Sequence, residues 1–141
     1  MTSDSQNTTH FGRETIPEAQ KHAGGSIKHD VSVPVSKIPE FLEAAEEKSL
    51  QIIPGAQLVT FGHIGDGGVH FNLVCGPDAP PSAERLSQLR DAVYEIACLQ
   101  FGGSFSGEHG LGRANLAQYR TLTPVPVRGL AARVQGAFAD R

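Results

Sequence analysis

The chain has little of what marks a secreted, membrane-spanning or nucleic-acid-binding protein. Of its 141 residues only two are cysteine, Cys75 and Cys98, and they lack C-x-x-C spacing. Placed by the sequence pattern inside a strand and a helix, they are expected to be buried, reduced thiols. Apolar runs are short: Ile52-Ile53 and the stretch from Leu73 to Cys75 are interrupted within a few residues, far below the roughly 20 that a membrane-spanning helix needs. The opening MTSDSQNTTH has neither the positive nor the apolar region of a secretory signal, so the expected location is cytoplasmic. A net charge of −3 provides no basic footprint for nucleic acid. There is no internal repeat. No serine occupies a G-x-S-x-G elbow; Ser106 in SFSGEHG comes nearest and lacks the first glycine, which argues against acyl transfer. Neither GDGG nor GEHGLG has the lysine or the strand-to-helix setting of a phosphate-binding loop.

What is present fits one globular domain. Hydrophobic residues make up 39% and charged residues 19%, which is enough apolar material for a core at this length. Residues 1–12 read as a polar tail, and residues 13–141 as the domain. RETIPEAQKH (13–22) has helix-forming composition and is stopped by Gly24-Gly25. His29 to Val35 alternates as a half-buried strand, with Pro34 limiting its ladder. A helix follows, with Ser36 as the expected N-cap and Ile38, Phe41, Leu42 and Ala45 on one face. AQLVTFG (56–62) and VHFNLVC (69–75) are the arms of a hairpin. Leu86, Leu89, Val93, Ile96 and Ala97 mark a second helix after Pro80-Pro81. Gly102 to Ser106 reads as a short last strand. Strand, helix, strand, strand, helix, strand is the split βαβ order of a ferredoxin-like α+β domain, an antiparallel sheet with two helices on one face. The other face is then left partly bare, as a surface for a second domain or another chain. Residues 114–119 suggest a helical turn broken by TLTPVPV, and 129–139 a final helix.

Within this frame, two histidines and an acidic residue stand out. If Asp66-Gly67 is a two-residue turn, His63 and His70 in FGHIGDGGVHFN become direct cross-strand neighbours, with Cβ atoms roughly 5 Å apart. Glu108-His109, in GGSFSGEHGLG, follows about forty residues later. A His/His/Glu set is a catalytic zinc arrangement with one open position. It is equally a two-His-one-carboxylate set, so spacing alone does not choose zinc over iron. Gly65, Gly67 and Gly68 also fit a purely structural turn, with Asp66 as a turn former.

GHIGDGGVHFN followed by GGSFSGEHGLG, and preceded by KHDVSVPVSKIPEF, resembles the C-terminal domain of the FAD-linked oxidases. That family includes D-lactate dehydrogenase, glycolate oxidase and D-2-hydroxyglutarate dehydrogenase. The likeness runs from about Arg13 to Gly112. It implies a domain that forms the substrate side of an active site against a flavin held elsewhere. It further implies that His63, His70 and Glu108 are metal ligands, for zinc in the 2-hydroxyglutarate dehydrogenase branch. Asn72 is implied to hydrogen-bond the substrate, Arg13 and Lys28 to hold its carboxylates, and His109 to act as the general base, a task imidazole suits near neutrality. The implied reaction is oxidation of a D-2-hydroxy acid. The hydroxyl proton goes to His109 and the α-hydrogen leaves as hydride to FAD.

The chain departs from the family pattern at Gly68, where asparagine is usual, and at Asn115, where a lysine is usual. It also stops at Ala137-Phe138-Ala139-Asp140-Arg141, before the family's usual closing segment, and nothing in it resembles the FAD-binding half. The expectation is therefore a truncated or separately encoded substrate- and metal-binding domain, not redox-active alone, that needs an FAD-binding partner chain. Two alternatives stand beside it: a non-catalytic remnant that forms a homodimer through its bare sheet face, and a small independent His/His/Glu metalloenzyme.

Overall fold

The computed structural model describes residues 26–76 and 80–139. The expected tail, the 13–22 helix and Arg13 lie outside them. Strand β1 spans Ser26–Ser32, β2 spans Gln57–His63 and β3 spans Gly68–Val74. They form one antiparallel sheet in the order β1-β3-β2. Helix α1 is Ile38–Ile52 and α2 is Ala83–Glu95, the latter running on through a π-turn at Ile96–Gln100. Two further helices follow, α3 (Leu116–Leu122) and α4 (Val125–Ala139). The α+β class expected from the sequence is what forms.

The central position of β3 explains its sequence. It is paired on both sides, and Val69, Phe71 and Leu73 point into the core beneath α1 and α2. Phe41 from α1 meets Phe71 edge-on with ring centroids 5.9 Å apart, and Leu89 and Val93 close the core from α2. Burying side chains of this size contributes roughly 1.5–3 kcal/mol each. Because side chains alternate along a strand, the other face carries Lys28 and Asp30 from β1, Phe61 and His63 from β2, and His70 and Asn72 from β3.

Several boundaries differ from the sequence reading. β1 begins at Ser26 and ends at Ser32, two residues before Pro34. Ser36 does not cap α1; it lies inside a 3-10 turn at Val35–Lys37, and Lys37 takes the cap position without a side-chain bond. Ser82, by contrast, caps α2, its hydroxyl accepting the Arg85 N–H at 3.3 Å. The expected fourth strand is reduced to one bridge in which Ser32 and Ser104 exchange backbone hydrogen bonds of 2.9 and 2.8 Å. That bridge still places the segment beside β1. α3 starts at Leu116, and α4 starts at Val125, so TLTPVPV separates the two helices by two residues only. α4 buries none of its side chains among the described residues and exposes Val127, Leu130, Val134 and Phe138. Cys75 lies just past β3 and Cys98 in the π-turn; both are free and only partly buried, a correction to the expected full burial. Burial nevertheless pushes both thiols above the usual range. No helix among the described residues is long and apolar enough to cross a membrane.

Candidate active site on the open sheet face

The β2–β3 connection sets the site's geometry, and it is longer than the sequence suggested. Residues 64–67 form a four-residue loop around a 3-10 turn at Ile64–Asp66. Gly67 has φ 85°, the left-handed region that glycine enters without a Cβ penalty. The Asp66 carboxylate accepts the Gly68 N–H at 2.9 Å and fixes the loop's exit. In the resulting register His63 faces Gly68, and His70 faces Phe61. The two histidines are therefore not directly opposed. Each pairs two positions away from the expected partner, and an even shift keeps both on the same face, as diagonal neighbours.

Glu108 joins them. It arrives on the segment that follows the Ser104 bridge, and its two carboxylate oxygens divide between the imidazoles. Oε1 lies 3.1 Å from His70 Nε2, and Oε2 lies 3.8 Å from His63 Nδ1. The two approaches are made by different oxygens of one carboxylate, and ligand atoms about 2.0–2.1 Å from a tetrahedral zinc are about 3.3 Å from one another, so a single cation would have to draw His63 closer. The donor set of two nitrogens and a carboxylate suits zinc and also iron(II). His63 and Glu108 are half-exposed, whereas the side chain of His70 is only 17% exposed.

Asp30, which the sequence reading did not single out, lies at the centre of this arrangement. It pairs with His70 across the β1–β3 ladder. Its side chain is 14% exposed, and its Oδ2 accepts the backbone N–H groups of Glu108 at 2.9 Å and His109 at 2.7 Å. Its carboxylate lies 3.7 Å from His70 Nδ1 and 3.3 Å from His109 Nδ1. Asp30, His70 and His109 are the three side chains among the described residues whose ligand atoms all lie within 4.8 Å of one another, a closeness that His63, His70 and Glu108 do not share. The one sequence signal was that an acidic residue in an alternating strand shares a face with Lys28; its cross-strand partner depends on register, which composition does not reveal.

Two depressions meet at these residues. A cavity of about 420 Å³ is lined by Lys28, Phe61, His70, Asn72 and His109, among others. A cleft of about 260 Å³ is lined by His63, Asp66, His70 and Glu108. Asp30 and His70 border both. The structure thus brings together the expected His63, His70, Asn72, Glu108, His109 and Lys28. His29, adjacent to Asp30 on the core face, has a different role. Its Nδ1–H donates to the Phe71 carbonyl at 3.0 Å, and burial lowers its pKa to about 4.

Fold and site together describe a small α+β domain whose sheet face away from α1 and α2 carries two histidines, two carboxylates and a further histidine beside a cavity of about 420 Å³. The sequence profile described as FAD linked oxidases, C-terminal domain, matches residues 2–132, and the chain belongs to that family. It is 37% identical over 100 residues to a probable mitochondrial D-2-hydroxyglutarate dehydrogenase of Oryza sativa subsp. indica, covering 71% of this chain and 17% of the relative. It is 37% identical over 103 residues to D-2-hydroxyglutarate dehydrogenase of Stutzerimonas stutzeri, covering 71% and 22%. A D-lactate dehydrogenase of Anaerostipes hadrus is 37% identical over 102 residues, covering 70% and 21%. The chain thus spans about a fifth of the length of these curated relatives.

Proposed function

We propose that this domain supplies the substrate-binding and metal-binding side of an FAD-dependent D-2-hydroxy-acid dehydrogenase, with the flavin held by an FAD-binding unit outside the described residues. The observation that carries this reading is the division of the Glu108 carboxylate between His63 and His70, beside a cavity that also presents His109, Asn72 and Lys28.

In this reading His63, His70 and Glu108 would hold a divalent metal, zinc by the likeness to the 2-hydroxyglutarate dehydrogenase branch, and the ion would supply a Lewis acid that makes the substrate hydroxyl more acidic. Lys28 places a point charge at the cavity wall for a carboxylate. The Asn72 side chain, two residues from His70 on the same face, hydrogen-bonds the substrate's polar end. With its Nδ1 turned toward Asp30, His109 leaves Nε2 as the atom that takes the hydroxyl proton. FAD in the FAD-binding unit would supply the two-electron acceptor for the hydride from the substrate Cα, so that loss of the hydroxyl proton to His109 would leave a 2-oxo acid. The family match and the relatives named for D-2-hydroxyglutarate and D-lactate support this substrate class.

Calorimetric titration of the zinc-loaded chain with D-2-hydroxyglutarate and with D-lactate tests the reading. Saturable binding of at least one D-acid, lost in His70→Ala, is expected. Absence of binding by both acids, or binding that is unchanged in the variant, contradicts it.

A further inference from the structure

The Asp30 carboxylate meets two backbone amides and two imidazoles of the site, yet in the proposed chemistry it neither holds the metal nor takes a proton. It sits on β1, whereas Glu108 and His109 sit on a segment with no regular secondary structure of its own. Adjacent ligand and base positions on an irregular segment need an anchor, because each must be held to within a fraction of an ångström of its working position.

Asp30 provides that anchor three ways. Its backbone carbonyl accepts the Gly107 N–H at 3.0 Å, and its Oδ2 accepts the next two amides in succession, those of Glu108 and His109. Three consecutive donors of the GEHG segment thus end on one residue. Bonds from amides to a carboxylate are charge-assisted and stronger than neutral ones. The approach is close enough that a Cβ at Gly107 would lie 2.5 Å from Asp30 Oδ1 and 3.0 Å from the Val31 carbonyl oxygen. Only glycine lets the segment lie against β1 in this way. The same carboxylate stands behind His70, whose Nε2 faces Glu108 while Nδ1 faces Asp30. That is the layout in which an outer carboxylate orients an imidazole toward a metal.

We infer that Asp30 is the positioning residue of the site: it pins the Glu108–His109 backbone to β1 and orients the His70 and His109 rings, without itself acting as a ligand or a base. The part of this inference that concerns metal affinity rests on the proposed His63/His70/Glu108 site; the part that concerns the backbone does not.

Two measurements on the full chain separate these parts. The first is amide hydrogen exchange of the metal-free protein by NMR. Asp30→Ala should speed exchange at Glu108 and His109 by about tenfold or more, with β3 amides unchanged, while Asp30→Asn, which keeps an acceptor oxygen, should retain most of the protection. The second is titration with cobalt(II), followed by its visible absorption. Asp30→Ala should weaken binding about 10–100-fold and alter the band shape, as loss of an outer-shell partner does, while Asp30→Asn should stay within a few-fold of wild type. If Asp30→Ala does not fold, Gly107→Ala takes its place, because it pushes the segment off an intact Asp30 and should give the same loss of protection. Unchanged exchange in Asp30→Ala, or in Gly107→Ala where that replaces it, overturns the inference. So does an Asp30→Asn variant that loses cobalt as completely as Asp30→Ala, since that is the behaviour of a ligand. Should wild type bind no cobalt, the metal reading fails, and the exchange data alone decide the role of Asp30.

Discussion

Phe61 and His70 face each other across the β2–β3 ladder, with ring centroids 5.0 Å apart and planes inclined at 42°. His70 is therefore held from both neighbouring strands, by an aromatic ring on β2 and by the Asp30 carboxylate on β1. A ring pair at this separation limits how far the imidazole can swing. It leaves Nε2 directed at Glu108.

Phe61→Ala should accordingly cost about 1–2 kcal/mol in stability, combining a half-buried aromatic surface with the loss of a cross-strand ring pair. Urea unfolding of the variant and the wild type measures this. A change below a few tenths of a kcal/mol would mean that the pair is not formed in solution.

The β2–β3 loop should be equally sensitive at Gly67. A Cβ there would lie 2.2 Å from the Val33 carbonyl oxygen, in a backbone conformation with φ 85°, and would strain the Val33 N–H bond to the Gly67 carbonyl at 3.0 Å. Gly67→Ala is expected to destabilise by about 3 kcal/mol, from the left-handed penalty plus the displaced backbone. A thermal midpoint within a degree or two of wild type would contradict the loop's geometry.

That loop is also where sequence reasoning reached its limit. Asp66-Gly67 reads as a two-residue turn because the dipeptide favours one, but the turn is four residues long, with Asp66 bonding back to Gly68 and Gly67 as the left-handed closer. The face assignment of His63 and His70 survived because alternation depends only on even or odd spacing. Their direct opposition did not, because loop length sets it. α1 and α2 were legible from apolar spacing, since Phe41, Ala45, Leu89 and Val93 are the residues they bury. Asp30 was not legible. Its partners Glu108 and His109 are 78 and 79 residues away and meet it through backbone amides, which no side-chain pattern records.

Acid should weaken the fold through His29. Its imidazole is buried and neutral, with a pKa lowered by desolvation to about 4 against 6.5 for the exposed group. The unfolded chain takes up a proton as pH falls through 6.5 and the folded chain does not until about 4, so stability drops across that window and is fully present above it. At about 1.4 kcal/mol per pH unit the loss is about 3 kcal/mol. Urea titrations at pH 7 and pH 4 should show His29→Phe losing less stability than wild type by about that amount. Equal losses in both proteins would exclude His29 as the source.

Lys28 is expected to discriminate by ligand charge. Lys28→Ala should weaken binding of a D-2-hydroxy acid about tenfold, in keeping with loss of one charge-assisted bond, and leave a neutral alcohol of the same size nearly unaffected. Parallel calorimetric titrations compare the two ligands. Equal weakening of both would remove the carboxylate-holding role.

The metal content of the purified protein bears most directly on the account. Elemental analysis after preparation without chelator should find about one equivalent of a divalent metal, zinc foremost, in wild type, and less than about a tenth of that in His70→Ala, with unchanged circular dichroism. Equal metal in the two proteins, or none in either after zinc is supplied, would contradict a cation held by His63, His70 and Glu108.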